Sequence, residues 1–231
     1  MYYSMYDPTY FLIVIGMVLT VIVQFYLTST FNKYQQVDSK SGLTASEACN
    51  IILRSSGINN VEIGHVAGNL TDHYAPGTKQ LNLSDATYNS RSIAAIGVAA
   101  HEAGHAIQDY KKMPLLHFQI SFVPVVNFAS RLSVPILLAG IILSITGLIQ
   151  FGIILFSVTL VYQLITLPIE FDASNNAIKT LRQYSIMDEA ELYGVKKVLT
   201  AAALTYVAAA ANTILQLLRF IIIANNSKRR N

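Results

Sequence analysis

SVPILLAGIILSITGLIQFGIILFSVTLVYQLITLP, Ser133–Pro168, runs for about 36 residues without a charge. As one helix it would extend roughly 54 Å at ~1.5 Å per residue, against a bilayer core of about 30 Å. It is too long for one crossing. Gly147–Gly152 (GLIQFG) places two glycines and a glutamine near its middle. The stretch therefore reads as a helical hairpin, with arms over Ser133–Thr146 and Phe151–Leu167 joined by a tight turn. A hairpin returns the chain to the side from which it left, so segments 29–131 and 169–200 face the same compartment.

Working outward, Tyr10–Leu27 is apolar apart from Thr20 and Gln24, carries no charge, and is long enough to cross a bilayer. A cleaved signal peptide is the competing reading. No Lys or Arg precedes the segment and the small-residue cleavage pattern is poor, which favours a retained span. Ala201–Ala224 is also apolar but holds Asn212, Gln216 and Arg219, with Thr205 upstream. These four fall close to one helical face, and a polar face on such a helix packs against protein rather than lipid. The helix either crosses or lies against the polar part of the chain.

Composition agrees. The chain is 53% hydrophobic and 13% charged, against roughly 25% charged in a soluble domain, and its mean hydropathy is +0.44. A net charge of +3 offers no nucleic-acid footprint. Cys49 is the only cysteine, so an intramolecular disulfide and a CxxC metal site are both excluded. It is expected to pack as a small apolar residue on a helix.

The polar segments carry nearly all the charge. Thr44-x-x-Glu47 reads as a capping box opening a short helix that ends near Gly57. Val61–Val66 and Gln80–Leu83 have strand character, the second alternating Leu81 and Leu83 with polar neighbours. Asp72–Gly77 between them reads as a turn-rich loop, giving an irregular hairpin or two edge strands. Ser90 or Ser92 caps the next helix, which runs from Ile93 to about Lys112 before Pro114. Its run of Ala and Gly (Ala94, Ala95, Gly97, Ala99, Ala100, Ala103, Gly104) permits close backbone approach.

That helix holds the chemistry. His101-Glu102-Ala103-Gly104-His105 is an H-E-x-x-H motif. Residues four apart share a helical face, so both imidazoles can meet one metal ion. Glu102 can serve as general base for a water that the metal activates. A catalytic zinc takes three protein ligands and keeps one open position. Downstream candidates for the third are Glu170 and Asp172, in the helix expected to start after Pro168. Two carboxylates in a first turn also suit simple dipole capping. The even number of crossings in the hairpin puts both on the same side as His105.

HEAGHAIQD, the hairpin and EFDASNNA together resemble the bacterial membrane-bound neutral zinc metallopeptidases, a gluzincin type similar to the CAAX-processing and heat-shock membrane endopeptidases. The resemblance covers roughly Leu43–Leu218. It implies a peptidase that binds one Zn2+ per chain, with Glu170 as third ligand. Four residues after Glu170 this chain has Ser174, not the Asp of the related endopeptidases. Asp172 is then the alternative orienter of a ligand histidine.

The other histidines, His65, His73 and His117, have no helical partner and read as loop or surface residues. His73 precedes the expected substrate strand and is a candidate oxyanion donor, as are Tyr184 and Tyr206. Gln80, Leu81, Asn82 and Leu83 are the candidate edge for an extended substrate.

The expected fold is a mainly α membrane protein with a small α+β zincin-like catalytic part and three or four membrane helices. Its parts are a membrane helix (1–28), the catalytic α+β part (29–131), the hairpin (132–168), a helix with the third ligand (169–200), and an apolar helix with a basic tail (201–231). The expected function is a multi-pass endopeptidase of the cell membrane acting on peptides or proteins, with the bilayer as its other partner. Lys33, Lys40, Lys179, Lys196 and Lys197 place the catalytic part in the cytoplasm. Lys228-Arg229-Arg230 disagrees if the last helix crosses. A membrane zinc-binding scaffold without hydrolysis is the alternative function.

Overall fold

A computed structural model describes residues 9–228. The elements are α1 (Tyr10–Gln35), α2 (Ala45–Ser55), β1 (Glu62–Val66), β2 (His73–Ala75), β3 (Gln80–Ser84), α3 (Ile93–Tyr110), α4 (Pro114–Ile142), α5 (Thr146–Gln183) and α6 (Glu189–Lys228). The protein is thus a mainly α membrane protein with a small α+β region. Among the described residues, four helices (α1, α4, α5 and α6) are long and apolar enough to cross a membrane. Two compact units result, one of residues up to Gln24, Phe118–Leu167 and Thr205 onward, the other of Phe25–His117 and Pro168–Leu204.

In the first unit, α4 and α5 form the central hairpin. Its turn is Leu143–Ile145, with Ser144 at φ +57°, earlier than the glycines at 147–152. Of those, Gly152 serves packing instead, as does Gly140 of the first arm. A Cβ on Gly152 would lie 2.5 Å from Leu137 Cγ, and one on Gly140 would lie 2.7 Å from the Ile149 backbone nitrogen. Glycine lets the two arms approach closely, as small residues do between membrane helices. The first arm begins at Pro114, well before Ser133. Nor does Pro168 end the second arm, which continues unbroken to Gln183. Proline removes one helical hydrogen bond without ending a membrane helix. The polar face of α6 packs as expected. Asn212 Oδ1 would lie 2.1 Å from a Cβ at Gly16 of α1, and the Arg219 guanidinium sits 4.8 Å from the Tyr10 ring centroid. Arg229 and Arg230 of the basic tail lie outside the described residues.

The second unit has a conventional core built on Ile52, Leu53, Leu81, Leu83, Ile96 and Leu181, all fully buried. Cys49 is buried among them, and burial pushes its thiol up, leaving it inert. The capping box holds in both directions: Glu47 N–H donates to Thr44 Oγ1 at 3.2 Å and Thr44 N–H to Glu47 Oε2 at 2.8 Å. Gly57 follows at φ +78°, the left-handed region that glycine enters freely. Ser92, not Ser90, caps α3, accepting the Ala95 N–H at 3.2 Å. A second reciprocal cap, Asp188 with Glu191, opens α6.

The sheet order is β1-β3-β2, with β1 parallel and β2 antiparallel to β3. The segment 67–79 supplies the crossover of about a dozen residues that a parallel pair requires, and β2 lies within it. Gln80–Leu83 is therefore the central strand, paired on both sides, and not the edge expected from its pattern. The edges are β1 and β2. The physical reason is that three residues in a turn-rich loop pair through their backbone, which leaves no side-chain periodicity to read.

Candidate metal centre

The site is built where α3 and α5 touch through their backbones. A Cβ on Gly104 would stand 2.5 Å from the Ala173 carbonyl oxygen and 3.1 Å from its carbon. Only glycine allows that approach, which brings Glu170 against the two histidines. Gly97 likewise meets Val195 of α6. The close backbone approach expected from the small-residue run is made at Gly104, whereas at Gly97 the neighbour is the Val195 side chain.

His101 Nε2 lies 3.2 Å and His105 Nε2 3.7 Å from Glu170 Oε2. The imidazoles stand edge-on, with centroids 4.8 Å apart. Among the described residues, these three form the one cluster whose ligand atoms converge, all within 4.8 Å of one another. Zinc bonds of about 2.0–2.2 Å at tetrahedral angles would separate ligand atoms by about 3.3–3.5 Å. The donor set fits zinc, and the two Nε2–Oε2 distances lie close to that spacing. The pocket also favours positive charge. Burial pushes His105 down, but the hydrogen bond to Glu170 and the charges of Glu102 and Glu170 outweigh it and hold the imidazole at about 9.

Glu102 is buried, and its Oε2 accepts the Tyr74 N–H at 2.9 Å. The motif glutamate is thus tied to the backbone of the edge strand β2. Asp109, one turn beyond His105, is buried and accepts the Tyr74 hydroxyl at 2.6 Å and the Lys79 ammonium. These contacts pin β2 and the β2–β3 turn to α3. Neither Tyr74 nor Asp109 was singled out by the sequence, because their role depends on a strand that its pattern does not announce.

The remaining candidates are placed as follows. Ser174 Oγ lies 3.2 Å from His101 Nδ1, so a hydroxyl occupies the position where the related endopeptidases carry Asp. Asp172 touches neither histidine; it accepts from Gln108 at 2.8 Å and from Asn176 at 2.9 Å. His73 pairs across the sheet with Asn82, its Nδ1 2.9 Å from the Thr71 carbonyl and its Nε2 3.2 Å from Asn82 Nδ2. Neighbouring strand residues point to opposite faces. With Tyr74 reaching α3, His73 faces away from it. Tyr184 bonds to Ser56 at 3.4 Å, and Tyr206 belongs to the membrane unit. His65 pairs with Asp85 on the surface, and His117 lies 3.8 Å from Asp109.

A membrane protein with a His-His-Glu cluster on two abutting helices, and a glutamate between the histidines, has the framework of a membrane zinc peptidase. The comparisons agree: residues 9–225 match a family described as "Putative neutral zinc metallopeptidase". The chain is 43% identical over 221 residues to "Putative membrane protease YugP" of Bacillus subtilis (strain 168), covering 96% of this chain and 98% of that protein. The protein belongs to this zinc metallopeptidase family. No solved structure matches it.

Proposed function

We propose that the protein is a zinc-dependent membrane endopeptidase in which His101, His105 and Glu170 hold the metal and Glu102 is the general base. The observation that supports this most is the convergence of three ligand atoms from α3 and α5, with both Nε2–Oε2 distances close to the spacing that a tetrahedral ion sets. When bound, zinc would supply Lewis acidity, polarising the scissile carbonyl and making water nucleophilic near neutral pH. Glu102 takes the proton from the attacking water on a carboxylate oxygen and returns it to the leaving nitrogen. Before substrate arrives, the Tyr74 N–H holds Glu102 Oε2 in place.

The substrate strand pairs with β2. The Tyr74 N–H is directed to Glu102 and not to β3, so this edge faces the site. An extended peptide laid along it makes backbone hydrogen bonds beside the general base. The unit carrying the site faces the cytoplasm in this reading, which the positive-inside bias of Lys33, Lys40, Lys179, Lys196 and Lys197 supports. Cysteines introduced at Lys40 and Ala190 should then react with impermeant thiol reagents only in inverted vesicles, while buried Cys49 stays silent.

Purified Glu102→Gln should retain zinc and lose peptide hydrolysis, whereas His101→Ala should lose the metal. Cleavage at the wild-type rate by Glu102→Gln would overturn the role of Glu102. A zinc-loaded wild-type protein with no hydrolysis across a peptide library would favour a scaffold instead.

A further inference from the structure

Gln108 lies one turn after His105, is 2% exposed, and contacts both helices of the candidate centre. Its Nε2 lies 2.8 Å from the Ile169 carbonyl oxygen and 2.8 Å from Asp172 Oδ2. Its Oε1 lies 3.0 Å from His105 Nδ1. The first two partners can only accept, so the amide NH2 must face them and Oε1 must face the imidazole. An amide oxygen can only accept. His105 Nδ1 must then carry a proton, which leaves Nε2, the nitrogen facing Glu170, as the one that would ligate a metal. The hydrogen-bond chemistry fixes the tautomer, since Ile169 and Asp172 allow the amide one orientation.

The same amide holds the other ligand. Ile169 directly precedes Glu170 and Asp172 follows it by two residues, so Gln108 grips α5 on both sides of Glu170. Asn176 donates to Asp172 Oδ2 at 2.9 Å and holds that carboxylate in turn. His101 has a separate partner in Ser174. Gln108 therefore links one histidine ligand to the helix of the carboxylate ligand, and Asp172 acts on His105 only through it.

We infer that Gln108 is the positioning residue of the centre, setting the His105 tautomer and the placement of Glu170 through the chain Asp172–Gln108–His105. This rests on the reading that His101, His105 and Glu170 hold zinc. Hydrogen bonds of this kind to a ligand histidine typically change metal affinity about 10–100-fold.

The test uses full-length protein in detergent. Zinc affinity is measured by competition with a chromophoric chelator, and unfolding of the metal-free protein is followed on the same samples. Gln108→Leu keeps the volume and removes every polar contact, and it should weaken zinc binding about 10–100-fold. Affinity within twofold of wild type, or a loss seen only where the metal-free protein is already unfolding, would overturn the inference. A second measurement needs no variant. In the zinc-loaded wild-type protein, side-chain 15N–1H spectra should show His105 protonated at Nδ1; a proton on Nε2 would overturn the inference whatever Gln108→Leu does. Wild-type protein that binds no zinc would instead defeat the underlying zinc reading.

Discussion

Gly104→Ala adds one methyl group at the point where the two ligand-bearing helices touch. The new Cβ would stand 2.5 Å from the Ala173 carbonyl oxygen, about 1 Å inside an ordinary non-bonded contact. Two effects oppose each other. Alanine favours a helix interior over glycine by about 1 kcal/mol, while overpacking a tight core typically costs about 1–3 kcal/mol. The obstructing atoms are backbone, so no side-chain tip can swing aside and α5 itself must move. The stability change is then a net loss of up to about 2 kcal/mol. The functional effect is larger. Glu170 sits 3.2 and 3.7 Å from the two Nε2 atoms, and a displacement near 1 Å takes it out of the spacing that one ion requires. Misplacement on that scale costs about 100-fold in rate. Zinc affinity by chelator competition and kcat on a peptide substrate should both fall in Gly104→Ala. Gly147→Ala, where an added Cβ meets nothing within 4 Å, should change neither. Wild-type zinc affinity and rate in Gly104→Ala would refute the claim that helix contact sets the ligand spacing.

Asp109→Ala should lose about 1–3 kcal/mol by leaving the Tyr74 hydroxyl and the Lys79 ammonium without their buried partner, read by thermal or urea unfolding. Asp109→Asn should lose less. This contribution is pH-dependent. Burial pushes the Asp109 carboxyl up, but the hydrogen bonds from Lys79 and Tyr74 and the charges of Lys79 and His117 hold it below its ordinary 3.8. A depressed carboxylate stabilises the fold fully above its unfolded value and loses that effect as pH falls through the folded one. The stability difference between wild type and Asp109→Ala should therefore stay constant down to about pH 4 and shrink only below it. A difference that disappears near pH 6 would contradict the assignment.

Local patterns carried much of the fold into the sequence. The Thr44–Glu47 capping box, the H-E-x-x-H spacing and the uncharged block from Ser133 each encode structure within a few turns of chain, and each was readable. Contacts between distant segments were not. His101 meets Ser174, His105 meets Gln108, and Gln108 meets Asp172, pairings set by the approach of α3 to α5 at Gly104 and Ala173. Asp172 looked like a direct partner of a histidine because spacing along the chain cannot show that an amide stands between them. β2 went unseen because its residues form a strand only through pairing with β3. The hairpin turn was displaced because Gly152, one of the glycines marking it, serves helix approach, while the chain reverses at Ser144, a non-glycine residue with positive φ.

Glu170 joins the centre from another helix, 65 positions after His105, and its side chain is buried against both imidazoles. Glu170→Gln keeps the shape of the side chain and removes the charge of the third ligand. Elemental analysis after dialysis against a weak chelator should find one zinc per chain in wild type and far less in Glu170→Gln. Equal zinc in the two proteins, or none in correctly folded wild type, would contradict a metal centre built from His101, His105 and Glu170.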